Sequence, residues 1–406
     1  MKRVVITGMG IISSIGNNKV DVLSSLEKQK SGIVFSPEMK DFGMKSNVWG
    51  EIKLPKQNYI KRDLFRFMND ASYYAYLSMQ QAIRDANLKN NIYKKNPRIG
   101  LVVGSGNFFI NKILYDIKKF SISNYKKIFH PYFSIQTMHS NISACLSTAY
   151  NIYGISYSIS SACATSASCI GHAVELIRFG KQDLVFAGGS EALDCESVFG
   201  FDIMNALSVN YNHVPEHASR AYDINRDGFV VSGGSGILVL EELSHALLRN
   251  ARIYAEIIGI GMNSSGDHMY LPSKSAYIRV MDMAMLDVSC SSIEYINTHA
   301  TSTKIGDIIE LEAIQEVFKK NKPYISSTKS ITGHSLGASG VHEIIYMLLM
   351  MNNNFIVPSV NIDNLDSFSK NMNILISKNN FRFSVGMSNT FGFGGVNVSI
   401  VIKKYI

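Results

Sequence analysis

The amino-acid sequence predicts an α/β fold that is built from two similar halves. Strand-like apolar runs alternate with helical segments along the chain, as at residues 98–103, where a predicted strand ends in a glycine-rich turn. This alternation is typical of α/β proteins, in which helices cover a mostly parallel sheet. The order strand, polar turn, helix also occurs twice, at residues 157–179 and 324–349. We therefore expect one half over residues 1–250 and a second half over residues 251–406.

The first predicted element is a buried strand at residues 3–7. The apolar stretch at the N-terminus is interrupted by Thr7 and Gly8, and no clean small-residue cleavage site follows, so it does not fit a secretory signal peptide. The turn Gly8-Met9-Gly10 resembles the opening of a dinucleotide-binding fingerprint. Because Ser13 replaces the third glycine, we assign no nucleotide cofactor to this turn.

A strand and a long helix flank the candidate nucleophile, Cys163. Residues 157–160 alternate bulky and small side chains, and residues 164–179 place alanine and aliphatic side chains at helical spacing until Gly180. Free backbone N–H groups and the helix dipole favour an anion at a helix N-terminus, and the same field lowers the pKa of a thiol. We therefore predict that Cys163 is a nucleophile, with a buried structural thiol as the alternative.

The second half places two histidines and a lysine at the ends of strands. His299 follows the predicted strand at residues 293–298, and Lys329 and His334 follow the next predicted strand. In open α/β sheets, ligands bind beyond the carboxyl ends of the strands. We therefore expect these three side chains to converge on one pocket with Cys163. A core or surface position is the alternative for each histidine, and it is our interpretation of the other eight.

A glycine-rich segment leads into the last predicted strand. Residues 388–395 read Ser-Asn-Thr-Phe-Gly-Phe-Gly-Gly, and the strand follows at residues 396–402. In the turn after the first of the two histidines, the hydroxyl groups of Thr301 and Thr303 either bind a polar chain or cap the helix that follows.

Length and composition indicate a globular protein with an ample interior. Of the 406 residues, 46% are hydrophobic and 18% are charged. Apolar runs such as residues 344–351 are far shorter than the ~20 residues that cross a bilayer. The cysteines have neither disulfide-framework nor zinc-site spacing, so we expect a cytoplasmic protein with no membrane span and no bound metal. The cysteines that we expect to be structural are Cys145, Cys169, Cys195 and Cys290.

The net charge of +8 raises the question of an acidic partner. The basic residues form no arginine-rich tract and no DNA-reading motif, which argues against nucleic acid. A positive face that receives an acidic protein is the other interpretation.

Four motifs follow one another along the chain. They are Ser161-Ala162-Cys163-Ala164-Thr165-Ser166, His299-Ala300-Thr301-Ser302-Thr303, Lys329 with Thr332-Gly333-His334-Ser335-Leu336-Gly337-Ala338, and Ser388-Asn389 with Phe391-Gly392-Phe393-Gly394-Gly395. In this combination and order the chain resembles the β-ketoacyl-[acyl carrier protein] synthases of bacterial type II fatty acid synthesis, most closely those of type I. The resemblance implies a thiolase-like fold, with two halves in a five-layered α-β-α-β-α arrangement, and a homodimer.

The resemblance also implies a decarboxylative Claisen condensation. Cys163 would take an acyl group from a carrier-protein thioester, and malonyl-carrier protein would lose carbon dioxide and attack that acyl group. His299 and His334, as neutral imidazoles, would stabilise the enolate oxygen. The backbone N–H groups of Cys163 and Phe393 would stabilise the tetrahedral oxyanion.

Supporting and substrate-binding roles follow from the same resemblance. Lys329 would support the histidines while pairing with Glu310, and a purely structural ion pair is the alternative. Thr301 and Thr303 would bind the phosphopantetheine arm on which the substrates arrive, and no further cofactor is implied. The apolar gate and acyl-pocket positions, each with core packing as the alternative, are Phe229, Phe391, Phe393, Met138 and Phe201.

The positive charge then has a candidate use, because carrier proteins are acidic. The family positions suggest a docking patch whose members are Lys45, Arg62, Arg66, Lys126 and Lys127. A solvated charged surface is the alternative for each of them.

Several positions depart from the family pattern. Ala300 replaces a glycine, and it would be strained if the position required a positive φ. Asp63 replaces a basic residue near the docking patch. Asn107-Phe108-Phe109 replaces a glycine run, and Gly200 replaces an acidic residue near the pocket. We expect the last two changes to affect acyl-chain preference rather than catalysis, whereas Asp63 weakens the case for the docking patch.

Three related classes are the alternatives. Thiolases use a second cysteine in the C-terminal glycine-rich segment, and residues 388–397 contain none. Synthases of type III pair the cysteine with one histidine and an asparagine, whereas here His334 supplies a second histidine. Non-catalytic chain-length factors lack the nucleophile that Cys163 provides.

Overall fold

The computed structural model describes residues 1–54, 60, 62–106, 131–378 and 380–406. The strands in this part of the chain are β1 (Val4–Ser13), β2 (Ile33–Phe35), β3 (Val48–Gly50), β4 (Ile99–Gly104), β5 (Ser156–Tyr157), β6 (Leu184–Glu191), β7 (Gly234–Glu242), β8 (Ala255–Ser264), β9 (Tyr295–Asn297), β10 (Tyr324–Ser326), β11 (Val385–Gly392) and β12 (Val396–Lys404). The helices are α1 (Lys19–Lys28), α2 (Pro37–Asp41), α3 (Arg62–Phe65), α4 (Asp70–Asp85), α5 (Asn90–Tyr93), α6 (Phe133–Thr137), α7 (Asn141–Tyr150), α8 (Thr165–Arg178), α9 (Cys195–Ile203), α10 (Leu243–Leu248), α11 (Lys274–Ala284), α12 (Lys304–Phe318), α13 (Lys329–Thr332) and α14 (Ser339–Asn353).

Ten of these strands are joined in one continuous hydrogen-bonded array, which divides at a short junction into two five-stranded sheets. The strand order is β10-β9-β11-β12-β8-β1-β7-β6-β4-β5. At the junction, β1 and β8 share only the pairs Val5–Glu256 and Ile6–Ala255, whereas β1 pairs with β7 along almost its whole length. We call β1, β7, β6, β4 and β5 the first sheet, and β8, β12, β11, β9 and β10 the second sheet.

The two sheets have the same topology. In the first sheet, β1, β7 and β6 are antiparallel neighbours, and β6, β4 and β5 are parallel. In the second sheet, β8, β12 and β11 are antiparallel neighbours, and β11, β9 and β10 are parallel. The predicted repetition is therefore confirmed, and β5 and β10, the two strands on which it was recognised, hold equivalent places.

The helices complete five layers. Helices α8 and α14 pack against each other between the sheets, and each contacts strands of both. Helix α4 covers the outer face of the first sheet beside α7, while α11 covers the second sheet beside α12. Every residue of α14 from Ser339 to Met351 is buried, which explains why this helix is apolar almost all the way round. The predicted α-β-α-β-α arrangement is confirmed.

Two strands are shorter than the sequence indicates. β5 covers Ser156–Tyr157 rather than residues 157–160, and β9 covers Tyr295–Asn297 rather than residues 293–298. After β5 the backbone leaves the sheet for the sharp turn that presents Cys163. No helix in the described residues is long and apolar enough to cross a membrane.

Candidate active site

The ends of β5, β9 and β10 bring the candidate residues together. Cys163 follows β5, His299 follows β9, and Lys329 opens α13 directly after β10. His334 lies in the loop between α13 and α14. The site is therefore assembled at the carboxyl ends of parallel strands from both sheets, as the sequence predicts.

A sharp, hydrogen-bonded turn presents Cys163. Ala162 adopts the left-handed backbone region with φ 47°, which is unusual for a residue with a side chain. The amide of Ala164 donates to the carbonyl of Ser161 at 3.0 Å. The hydroxyl of Thr165 accepts from the amide of Ser161 and donates to the carbonyl of Ala162, both at 2.8 Å. Strain of this kind persists only where surrounding bonds hold it, and it is concentrated at functional sites.

His334 lies directly against the thiol. Its Nε2 is 3.1 Å from the Sγ of Cys163, and its Nδ1 is 2.8 Å from the hydroxyl of Ser339. Because a hydroxyl both donates and accepts, Ser339 fixes the ring orientation with either tautomer. The sequence analysis missed Ser339, and nothing in its spacing marks it.

His299 completes a group of three side chains. Its ring centroid is 5.1 Å from that of His334, and the two planes are nearly perpendicular. The ligand atoms of Cys163, His299 and His334 all lie within 4.8 Å of one another. The Nδ1 of His299 is buried and has no hydrogen-bond partner among the described residues. The three side chains are thus close enough to act on one substrate atom or its immediate neighbours.

Glu310 has a different place from the one predicted. Its carboxylate accepts from the amides of His299 and Ala300 at 3.0 and 2.8 Å, and from the side-chain amide of Asn389 at 3.2 Å. It therefore holds the backbone of the turn that carries His299, and its predicted pairing with Lys329 is wrong.

Lys329 instead pairs with Glu343, a residue on α14 that the sequence analysis missed. Both side chains are buried, with 3% and 2% of their surface exposed, and they form a direct ion pair. The signal was present, because Glu343 is the only acidic residue in the apolar run from Val341 to Met351. An acidic residue inside a buried helix needs a partner, and Lys329 is that partner.

Burial keeps both catalytic-site imidazoles neutral. It lowers the pKa of His299 and of His334 well below the ordinary value, and the positive charge of Lys329 lowers both further. Each ring is therefore a directional N–H donor at neutral pH rather than a cation, as the resemblance implies.

The thiol of Cys163 does not have the low pKa that its position before α8 predicts. Burial raises its pKa to about 12, and the charge of Glu191 raises it as well. Lys329 and the backbone amides of Phe393 and Cys163 lower the pKa, but burial outweighs them. The resting thiol is therefore neutral and lies beside a neutral imidazole, so it would have to lose its proton in order to react.

The same two amides lie beside the sulfur of Cys163. Both donate toward the sulfur of Cys163, and Phe393 belongs to the glycine-rich turn after β11. Gly394 and Gly395 there have φ values of 82° and 77°, which a residue with a side chain adopts only with strain. The turn therefore needs glycine at both places in order to aim the Phe393 amide.

A cavity of about 420 Å³ opens above the three side chains. Of the predicted substrate-binding residues, Thr301, Thr303, Phe201, Phe229, Phe391 and Phe393 line it. Met138, at the end of α6, is not part of its lining, and its assignment to an acyl pocket stays a prediction.

Aromatic contacts define the inner wall of the cavity. The ring of Phe229 meets that of His334 edge to face at 5.6 Å, and Phe201 meets Phe229 at 5.4 Å. Phe391 stacks on Tyr277 with centroids 3.7 Å apart. Tyr277, which the sequence analysis did not identify, therefore fixes one of the predicted gate residues.

Glu191 was also missed, although it ends β6 only two residues after the glycine pair Gly188-Gly189. Its buried carboxylate accepts from the hydroxyl of Ser105 at 2.6 Å and from the amides of Gly106 and Gly337 at 2.9 Å each. It therefore ties the end of β4 in the first sheet to the turn that follows His334.

The predicted docking residues that the structure describes are exposed. Lys45 donates from its Nζ to Asn205 at 2.7 Å, and Asn205 lines the cavity. Arg62 is exposed at the start of α3. Arg66 lies over the ring of Tyr132 at 5.0 Å. Lys126 and Lys127 lie outside the described residues.

The departures from the family pattern have mild structural consequences where they are described. Ala300 is not among the described residues with a positive φ, so alanine is unstrained there. Asp63 forms an ion pair of 3.7 Å with Arg66. A side chain at Gly200 would meet open space, and residues 107–109 lie outside the described residues.

Known proteins are similar to this chain in sequence and in fold. Residues 1–246 match the family model for the N-terminal domain of beta-ketoacyl synthase, and residues 254–363 match that for its C-terminal domain. The 3-oxoacyl-[acyl-carrier-protein] synthase 1 of Buchnera aphidicola subsp. Acyrthosiphon pisum is 56% identical to this chain over 407 residues, and the match covers 100% of both.

Solved structures agree with this match. A beta-ketoacyl synthase from Burkholderia phymatum STM815 has a TM-score of 0.94 at 32% identity, with 100% of both chains covered. A type II polyketide-synthase ketosynthase bound to a hexaketide, in complex with its acyl-carrier protein, has a TM-score of 0.90 at 27% identity, again with 100% of both chains covered.

Proposed function

Because this chain belongs to the β-ketoacyl synthase family, we propose that it is a 3-oxoacyl-[acyl-carrier-protein] synthase of type 1. It transfers an acyl group to Cys163, condenses it with malonyl-carrier protein, and so extends a fatty acid by two carbons. The observation that carries the mechanism is the group of Cys163, His299 and His334, whose reactive atoms lie within 4.8 Å of one another below the cavity.

In the first step, Cys163 attacks the carbonyl carbon of an acyl thioester. The thiol proton leaves as the carbon–sulfur bond forms, and Nε2 of His334, 3.1 Å away, is placed to receive it. The carrier's thiol departs with a proton. The tetrahedral oxyanion is bound by the amides of Cys163 and Phe393, and removing one such donor typically costs about 3–4 kcal/mol of barrier.

In the second step, malonyl-carrier protein loses carbon dioxide and forms an enolate. Its oxygen becomes negative, and the neutral rings of His299 and His334 donate hydrogen bonds to it. His334 does so as the Nε2–H tautomer, with its Nδ1 accepting from the hydroxyl of Ser339. The enolate carbon then attacks the acyl carbon on Cys163, and the carbon–sulfur bond breaks. The Cys163 thiolate takes a proton from solvent and becomes the resting thiol again, and 3-oxoacyl-carrier protein leaves. As proposed, the chemistry draws on no cofactor other than the phosphopantetheine arm of the substrate.

Binding roles follow from the lining of the cavity. Thr301 and Thr303 line it with hydroxyl groups 3.4 Å apart, and these suit the polar phosphopantetheine arm. Phe201 and Phe229 offer apolar surface to the acyl chain. We further propose that an acidic acyl carrier protein docks on the basic patch, that the chain forms a homodimer, and that it works in the reducing cytoplasm, where its five free thiols persist.

The test is mass spectrometry of the carrier protein after the purified enzyme is mixed with acyl- and malonyl-carrier protein. A 3-oxoacyl product two carbons longer, formed by the wild type and not by Cys163→Ala, is the expected result. Cys290→Ala is the matched control, because Cys290 lies outside the site and its loss should leave the product unchanged. No product and no acyl adduct on Cys163 would overturn the proposal and favour a non-catalytic relative.

A further inference from the structure

The three reactive side chains are also a set of metal ligands. Thiolate sulfur and imidazole nitrogen are the donors that zinc prefers, and catalytic zinc sites use three protein ligands with one open position. Bond lengths of about 2.3 Å to sulfur and 2.0–2.1 Å to nitrogen place donors roughly 3.3–3.6 Å apart around a tetrahedral ion. The donor atoms of Cys163, His299 and His334 are within 4.8 Å of one another, so small rotations of the rings suffice.

The surroundings favour ligation by these side chains. His334 is held through its Nδ1 by Ser339, which is the arrangement that orients metal-bound histidines. The Nδ1 of His299 is buried and has no hydrogen-bond partner among the described residues. The ring can therefore rotate toward a metal ion without losing a hydrogen bond at this atom. The cavity lies on the remaining side and leaves a fourth position for water.

Local charge does not exclude a dication. Lys329 is a buried cation whose charge lowers the pKa of both histidines, and its ion pair with Glu343 offsets part of that charge. The carboxylate of Glu310 lies close behind His299, bonded to the amide of that residue at 3.0 Å. A divalent ion at the three ligands therefore faces a positive side chain whose charge Glu343 partly compensates.

We propose that Cys163, His299 and His334 form a binding site for Zn²⁺ that inhibits the enzyme. The thiol gives its proton to solvent when the sulfur–zinc bond forms, and no electrons are transferred. An ion held on the sulfur blocks acylation, and an acyl group on the sulfur removes one ligand, so metal and acyl group exclude each other. The inhibitory consequence rests on the proposed function, whereas metal binding does not.

The test titrates the full-length purified protein with Co²⁺ and measures the sulfur-to-cobalt charge-transfer absorption, then displaces cobalt with Zn²⁺ to obtain the zinc affinity. We expect the absorption in the wild type, its complete loss in Cys163→Ala, and zinc binding at least about tenfold weaker in His299→Ala and His334→Ala. Cys290→Ala and the exposed His172→Ala are matched controls that should bind as the wild type does. Mg²⁺, which prefers oxygen ligands, should not compete.

A second measurement needs no carrier protein. Zn²⁺ should slow alkylation of Cys163 by iodoacetamide, and EDTA should restore the rate. Absence of the cobalt absorption in the wild type, or equal zinc affinity in Cys163→Ala, would overturn the site. A cobalt absorption in a protein that forms no 3-oxoacyl product would instead leave the site standing and overturn the proposed function.

Discussion

The ion pair between Lys329 and Glu343 predicts a large energetic coupling. Both side chains are almost fully buried, at 3% and 2% exposure, so solvent does not screen the charges. Apart from Lys329, the carboxylate of Glu343 has a hydrogen bond of 3.4 Å from the hydroxyl of Thr390, which is long. Removing one charge of a buried pair leaves the other uncompensated, and the cost is about 3–5 kcal/mol.

A double-mutant cycle measures this coupling. We expect Lys329→Met to lower the free energy of unfolding by about 3–5 kcal/mol, and Glu343→Gln to lower it by a similar amount. The double variant should lose less than the sum of the two, with an interaction energy of about 2–3 kcal/mol. The assay is equilibrium denaturation followed by two probes, because free energies can be compared only where the transitions coincide.

The control is a second double-mutant cycle, in which Lys329 is paired with Glu310 rather than with Glu343. The carboxylate of Glu310 is bonded to backbone amides. The interaction energy of Lys329→Met with Glu310→Gln should stay below about 1 kcal/mol. A larger coupling to Glu310 than to Glu343 would refute the pairing and restore the one that the sequence suggests.

Three further changes have definite outcomes. Gly337→Ala should destabilise the protein by at least about 3 kcal/mol in thermal melts, because the added Cβ would lie 2.4 Å from the backbone nitrogen of Gly106. The control, Gly200→Ala, adds a Cβ in open space and should leave the stability unchanged. The rate at which iodoacetamide alkylates Cys163 should rise about tenfold per pH unit from pH 7 to 10, because a thiol with a pKa of about 12 ionises only above that range. A plateau below pH 8 would contradict this. Charge reversal at Arg66 together with Lys127 should raise KM for carrier-bound substrate at low salt, and an unchanged KM would argue against the docking patch.

The sequence predicts where the reactive residues lie along the fold better than it predicts their partners. Cys163, His299 and Lys329 each follow a strand, and parallel strands end at one edge, so their convergence follows from the pattern. Which carboxylate meets Lys329 depends on how α12 and α14 pack on the second sheet. Glu310 and Glu343 both lie on helices, and spacing along the chain does not separate them.

The pKa of the Cys163 thiol also could not be predicted from the sequence alone. The sequence indicates a helix N-terminus beside Cys163, and in the structure the backbone amides of Cys163 and Phe393 and the charge of Lys329 do lower the thiol pKa. The burial of the sulfur depends on residues of the other half of the chain, such as His334 at 3.1 Å, and it reverses the net shift of the pKa. A local pattern gives the local field, whereas burial is a property of the assembled molecule.

The two sheets have the same topology, but the turns after their equivalent strands carry different reactive groups. β5 and β10 occupy equivalent positions, yet the chain after one supplies a nucleophile and the chain after the other supplies a buried cation. The pattern fits an ancestral module that was duplicated and fused, after which the two copies kept different reactive residues. Neither copy alone would hold a nucleophile and its proton carriers together. Two separately expressed fragments, divided in the connection between Glu242 and Ala255, would therefore be inert alone and regain activity only on association.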